Sequence, residues 1–253
     1  MPRCSGCSTA DTKRGSCRSG WSRSSSTSTE RHAAGRIAAV VFDLDGTLVD
    51  SRPDLAAAVN ALRAGFELPP VTIATVGDWI GEGARKLVER ALAELAGPPP
   101  GDALSRFLAG YEPIATRETR PYPGVPGLLA ELRRTVPLAL LTNKPERMTR
   151  AIVEQAGWTE IFPVVVAGDS LPFRKPDPRT LGEIATRLGC RAEELLLIGD
   201  SAIDAATAVA AGSSFVWVEW GYARSGDRPA LAAGPHAATA PELSRVVAAL
   251  LTD

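Results

Sequence analysis

Histidine and cysteine are scarce in this 253-residue chain: two histidines, His32 and His236, and a single cysteine, Cys190, beyond residue 17. A histidine-dependent hydrolase or a His-rich zinc centre therefore has almost no raw material, and no disulfide framework is implied. No glycine-rich loop ending in Gly-Lys-Ser/Thr occurs, which excludes an ATP-type phosphate loop. The apolar runs are strand-sized, short of the roughly 20 residues a spanning helix needs. Net charge is only −1. Residues 1–36 hold seven Lys/Arg against two acids, leaving 21 against 27 for the rest, so the remainder is mildly acidic and offers no case for nucleic-acid binding. The tail also lacks the apolar centre of a secretory signal, and a cytoplasmic location is expected.

Residues 1–36 are rich in Ser, Arg, Gly and Thr, as in Trp21-Ser22-Arg23-Ser24-Ser25-Ser26, and show no apolar period. Cys4-x-x-Cys7, Cys17 and His32 have ligand chemistry for zinc, but composition favours a disordered tail. From Ile37 the chain alternates between apolar runs (37–42, 138–141, 164–166, 195–198 and 215–218) and helical patterns near 125–134, 146–156, 178–188, 202–211 and 241–251. Gly157, Gly189 and Gly212 fall where helix C-caps belong. This predicts an α/β fold with a Rossmann-like parallel sheet covered on both faces. Residues 53–119 hold no convincing strand and instead show helical patterns near 54–65, 83–96 and 102–117, which predicts an all-helical insertion. The core is then 37–52 plus 120–253.

The segment Asp43-Leu44-Asp45-Gly46-Thr47 directly follows the first apolar run. Carboxylates two residues apart at a strand end can point the same way, so that one attacks or holds a metal while the other transfers a proton. Two further runs end in polar residues, Leu141-Thr142-Asn143 and Ile198-Gly199-Asp200. In a parallel sheet these ends share one edge. Arg174-Lys175-Pro176-Asp177-Pro178 places a lysine before a helix, and Asp204 follows Asp200 by one helical turn. Several carboxylates without a His or Cys cluster form a hard, oxygen-rich site suited to Mg²⁺. With Lys175 and the Thr142-Asn143 pair added, the pocket fits a phosphoryl group.

These four motifs, in this order, resemble the haloacid dehalogenase superfamily from Ile37 to the C-terminus. The resemblance implies that Asp43 is a nucleophile forming an aspartyl-phosphate. Asp45 would protonate the leaving alcohol and then activate water. Thr142 and Asn143 would bind the phosphoryl group, with Lys175 neutralising charge. Mg²⁺ would be held by Asp43, the carbonyl of Asp45, and Asp200, with Asp204 beside them. The insertion sits where the family places a helical cap, whose closure excludes water and selects the substrate.

Residues 79–92, with Leu141-Thr142-Asn143-Lys144-Pro145 and Trp220-Gly221-Tyr222, are similar to bacterial phosphoglycolate phosphatases. Glu82 and Arg85 are the candidate cap residues for specificity. Glu82 stands where asparagine is more common, and has two readings: it faces the substrate, where it would disfavour a carboxylate, or it serves as a helix N-terminal acid. Trp158, Trp217 and Trp220 are expected to be core or rim packing. The expected partner is a small phosphorylated metabolite, first 2-phosphoglycolate. The alternatives are a sugar-phosphate phosphatase, a mutase of the β-phosphoglucomutase kind, or a non-catalytic phosphometabolite-binding protein. A dehalogenase is disfavoured because halide displacement does not need the acid that Asp45 supplies.

Overall fold

The computed structural model of the protein describes residues 36–252. The expected disordered tail, with Cys4, Cys7, Cys17 and His32, lies outside the described residues apart from the exposed Arg36. In chain order the elements begin with β1 (Ala39–Phe42), β2 (Val49–Asp50), α1 (Arg52–Ala64), α2 (Ile73–Gly77), α3 (Ala84–Ala91), α4 (Ala103–Tyr111), β3 (Arg120–Pro121) and α5 (Val125–Leu132). Next come β4 (Leu138–Leu141), α6 (Glu146–Gln155), β5 (Val164–Val166), α7 (Arg179–Leu188) and β6 (Leu195–Gly199). The chain closes with α8 (Ala202–Ala211), β7 (Ser214–Val218), α9 (Arg228–Leu231), β8 (His236–Ala237) and α10 (Ala240–Thr252).

Six strands form one sheet in the order β5-β4-β1-β6-β7-β8, and every pairing in it is parallel. Alternate residues of each strand serve opposite faces. Val40, Phe42, Leu138, Leu140, Leu196 and Ile198 join one apolar cluster with α5, α6 and α10. Ala39, Val41, Ala139, Leu141, Leu195 and Leu197 join another with α7 and α8. Burial on both faces is why these strands are continuously apolar instead of alternating. The edge strand β8 and the short α2 were not anticipated, being two and five residues long. Neither is long enough to display a period.

Helices α1 to α4 lie between β2 and β3 and share their own apolar cluster, including Leu55, Val59, Leu87, Phe107 and Tyr111, into which Met148 of α6 packs. The expected helix over 102–117 is shorter than its pattern, because α4 tightens into a 3₁₀ turn at Glu112–Ile114, where Pro113 stands. The two chain crossings into and out of this region pair as antiparallel strands, Val49 with Pro121 and Asp50 with Arg120. Asp54, in the first turn of α1, accepts hydrogen bonds from Glu118 N, Thr119 N and Thr119 Oγ1 at 2.8 to 3.0 Å, which ties the two crossings together.

Candidate active site

Because β1, β4 and β6 are parallel neighbours, the residues following them emerge at one edge of the sheet. Asp43, Thr142 and Asp200 are all buried there. The loop before α7 brings in Lys175, whose Nζ lies 2.8 Å from Asp43 Oδ1 and 2.6 Å from Asp204 Oδ1. Asp204 is fixed in turn by a capping box at the start of α8: its Oδ2 accepts from Ser201 N at 3.1 Å and Ser201 Oγ at 2.6 Å. Asp200 accepts from Tyr222 N at 2.6 Å and Thr47 Oγ1 at 3.3 Å. A side chain at Gly46, where φ is +86°, would place its Cβ 2.2 Å from Asp200 Oδ2, so only glycine lets this turn pass the carboxylate.

Asp45 faces the same space. Its carboxylate accepts from Lys144 Nζ at 3.0 and 3.2 Å and from Ser51 Oγ at 2.5 Å. Thr142 presents its hydroxyl beside Lys144 N, 3.2 Å away. Asn143 Nδ2 donates to Gly81 O at 2.9 Å and Lys175 O at 3.1 Å, so that amide joins the sheet edge to the α2–α3 connection.

Burial raises the Asp43 carboxyl to about 7, against the pull of Lys175. Asp200 is likewise pushed well above the usual carboxylate range by burial and by Asp204 and Asp43. Burial alone would disfavour the two ammonium groups. Asp204 and Asp43 outweigh it at Lys175, and Asp45 and Tyr111 outweigh it at Lys144, so both lysines are held above their ordinary range and stay charged.

With all ionised, Asp43, Asp45, Asp200 and Asp204 form ion pairs among the described residues with Lys144 and Lys175 alone, a deficit matched by one divalent cation. Asp43, Asp200 and Asp204 each offer an oxygen within 4.8 Å of the others. The donor set is all oxygen and suits a hard dication. Lys175 at one oxygen and a double donation from Ser201 at the other load Asp204 more heavily than the single neutral hydrogen bond at each Asp200 oxygen, which favours Asp43 and Asp200 as the carboxylates to face a metal.

Asp43, Asp45, Thr142, Lys144, Lys175 and Asp200 line a cavity of about 240 Å³ whose far wall is built by the helical region, including Ile80, Gly81, Glu82, Leu87 and Tyr111. Glu82 reaches the cavity, but its charge is engaged by Arg90 and, at 3.4 Å, by Arg224. The hydrogen bond from Arg90 holds its carboxyl below the ordinary glutamate range. Neither reading of Glu82 describes it fully: it lines the pocket, yet two arginines answer its charge. Arg85 is exposed on α3 and lies outside the cavity lining.

Of the tryptophans, Trp158 and Trp217 are buried, and two indoles brace the site loops: Trp217 Nε1 donates to Asp200 O and Trp220 Nε1 to Thr47 O, both at 3.1 Å. Sequence reasoning overlooked Ser51, Tyr111, Lys144 and Tyr222 as site residues. For Lys144 a signal existed, since it directly follows Thr142-Asn143.

The haloacid dehalogenase-like hydrolase family model matches residues 37–212. Over 193 residues the chain is 42% identical to the phosphoglycolate phosphatase of Chromobacterium violaceum, covering 74% of this chain and 87% of that protein. It is 43% identical over 195 residues to the phosphoglycolate phosphatase of Rhodospirillum rubrum, covering 74% and 81%. The crystal structure of a predicted phosphoglycolate phosphatase from Haemophilus somnus superposes with a TM-score of 0.67 at 31% identity, covering 74% of this chain and 87% of that one. A haloacid dehalogenase-like protein from Streptococcus pneumoniae shares the fold, with a TM-score of 0.74 at 22% identity, covering 83% and 98%. A parallel sheet with its carboxylates gathered at one edge and a matching family model over most of the chain place this protein among the haloacid dehalogenase-like hydrolases.

Proposed function

We propose that this phosphomonoester hydrolase converts 2-phosphoglycolate to glycolate and phosphate, with Asp43 as nucleophile. The observation that carries this reading is the shared cavity of Asp43 and Asp45, with Lys175 on the former and Lys144 on the latter. A Mg²⁺ ion would be held by Asp43, Asp200 and the carbonyl of Asp45, with Asp204 behind them; when bound it supplies positive charge for the phosphoryl oxygens.

In the first half-reaction Asp43 attacks phosphorus and Asp45 gives its proton to the departing glycolate oxygen. In the second, Asp45 takes a proton from water as that water cleaves the aspartyl-phosphate and restores Asp43. Lys175 offsets charge on Asp43 and the transferring group, and the Thr142 hydroxyl donates to a phosphoryl oxygen. Asn143 contributes by holding Gly81, which keeps the pocket wall over the site. Residues 53–119 act as the cap, hinged at the β2–β3 pair.

Cavity size favours a small phosphate ester, and the names of the relatives favour the acid. The cavity is below the about 300–1,000 Å³ typical of pockets for larger ligands, and the Chromobacterium and Rhodospirillum relatives carry the phosphoglycolate phosphatase name. The test is phosphate release with Mg²⁺ from a panel of 2-phosphoglycolate, triose phosphates and hexose phosphates. A preference of about tenfold or more in kcat/KM for 2-phosphoglycolate, about 1.4 kcal/mol of transition-state discrimination, is expected. Preference for a sugar phosphate would move the substrate, and isomerisation without phosphate release would move the reaction to a mutase.

A further inference from the structure

Three cations line the cavity, and two are already committed. Lys175 is matched by two carboxylates. Arg224, half exposed at the rim, donates to Asp78 O at 3.1 and 3.2 Å and reaches Glu82. Lys144 differs: its side chain is 2% exposed and its sole carboxylate partner among the described residues is Asp45. An ammonium has three donors. Both hydrogen bonds found for Lys144 Nζ go to Asp45, and its other side faces the Tyr111 ring, with Nζ 4.8 Å from the centroid.

Tyr111 supplies the second observation. Its hydroxyl is buried, belongs to a residue 1% exposed, and among the described residues has no hydrogen-bond partner of good geometry, with the Lys144 ammonium beside it partly offsetting the effect of burial. Buried hydroxyls are rarely left so, which makes Tyr111 a candidate donor to a group bound in the cavity it lines. The ring is held by stacking on Phe107, with centroids 5.7 Å apart, so the hydroxyl cannot swing to another acceptor without repacking α4. An O–H donor without an acceptor and the ammonium it adjoins therefore meet at one wall of the pocket, one from the helical region and one from the sheet edge.

We propose that Lys144 and Tyr111 together form the receptor for the substrate's carboxylate. This rests on the reading of the substrate as a small phosphorylated acid, and it names the residues that select it. The placement fits the chemistry. Asp45 serves the ester oxygen, and Lys144 Nζ lies within 3.2 Å of both Asp45 oxygens, so a carboxylate on the carbon bonded to that ester oxygen falls beside Lys144. The ammonium and the hydroxyl then each donate to the carboxylate, a charge-assisted arrangement stronger than neutral hydrogen bonds. Because Tyr111 belongs to α4 and Lys144 follows β4, a bound carboxylate also bridges the two regions.

The test is binding, measured by calorimetry with Mg²⁺, of 3-phosphonopropionate and of propylphosphonate. The first is the non-hydrolysable counterpart of 2-phosphoglycolate and the second lacks the carboxylate. The wild-type protein is expected to prefer 3-phosphonopropionate by about tenfold to a hundredfold, the range for hydrogen bonds to a charged group. Lys144→Met is expected to bring the two ligands within about threefold of each other, and Tyr111→Phe to cut the preference by about tenfold. Circular dichroism and a melting curve report that each variant is folded, and Tyr111→Phe, which leaves the Lys144–Asp45 pair intact, is expected to keep propylphosphonate binding near the wild-type value. Lys144→Arg, which keeps the charge, should retain part of the preference. A wild-type preference that survives in both Lys144→Met and Tyr111→Phe overturns the receptor while leaving the substrate reading intact. Absence of any preference in the wild-type protein overturns the substrate reading, and the receptor with it. If Lys144→Met binds neither ligand, Tyr111→Phe decides alone.

Discussion

Tyr222 joins Asp200 to the entry crossing: its backbone N–H donates to Asp200 Oδ2 at 2.6 Å, and its hydroxyl accepts from Ser51 N at 2.8 Å. The same hydroxyl lies 3.0 Å from Asp50 Oδ1, and Arg52 stacks over the ring with its guanidinium carbon 4.9 Å from the centroid. One core residue thus touches both a candidate metal ligand and the strand that leads into α1. Tyr222→Phe keeps the ring and removes the acceptor for the N–H of the fully buried Ser51. The expected cost is about 1–3 kcal/mol, at about 2–4 °C in Tm for each kcal/mol in a chain of this size. A melting curve for the variant checks this, and an unchanged Tm would show the hydroxyl to be dispensable.

Lys175→Ala leaves Asp43 and Asp204 without their shared cation in a buried setting. Breaking a buried pair from one side costs about 3–5 kcal/mol, so a marked fall in stability is expected together with loss of turnover. Denaturant unfolding and phosphate release measure the two. Wild-type stability would mean that water or proton uptake replaces the lysine.

Magnesium should raise the melting temperature of the wild-type protein and fail to do so for Asp200→Asn. Saturation at 100 times the dissociation constant adds about 2.7 kcal/mol to a folded state that alone binds the ion. A chelator should abolish phosphate release, and Mg²⁺ should restore it. Equal thermal shifts in the wild type and Asp200→Asn would remove Asp200 from the metal site.

Gly46→Ala should damage the site although it adds one methyl group. The backbone there has φ of +86°, and the new Cβ would lie 2.2 Å from Asp200 Oδ2, so either the turn or the carboxylate must move. A fall in Mg²⁺ affinity larger than the fall in Tm would imply is the expected pattern, read by thermal shift at several Mg²⁺ concentrations. Wild-type Mg²⁺ affinity would show that Asp200 tolerates the displacement.

The parts of this architecture that were legible in the sequence are those written as local pattern. The runs ending at Asp43, Thr142 and Asp200 announce strands because burial on both faces makes them continuously apolar, and parallel pairing then brings their ends together. Gly189 and Gly212 do stand as left-handed caps after α7 and α8. Relations between distant residues left no such trace. Lys144 with Asp45 spans 99 positions, and Tyr222 with Ser51 spans 171, so no periodicity links them. Glu82 shows the same limit: its answering charges are Arg90, within its own segment, and Arg224, 142 residues on. Arg85, one turn from Glu82 in sequence, points away because α3 turns that face to solvent.

In the proposed reaction Asp43 takes the phosphoryl from 2-phosphoglycolate, and Asp43→Asn removes that role. The substitution removes nucleophilicity with little change of shape. Phosphate release from 2-phosphoglycolate with Mg²⁺ should fall by at least about a thousandfold in kcat, roughly 4 kcal/mol of barrier, while 3-phosphonopropionate still binds. Turnover near the wild-type rate in a folded, ligand-binding Asp43→Asn protein would show that Asp43 is not the nucleophile.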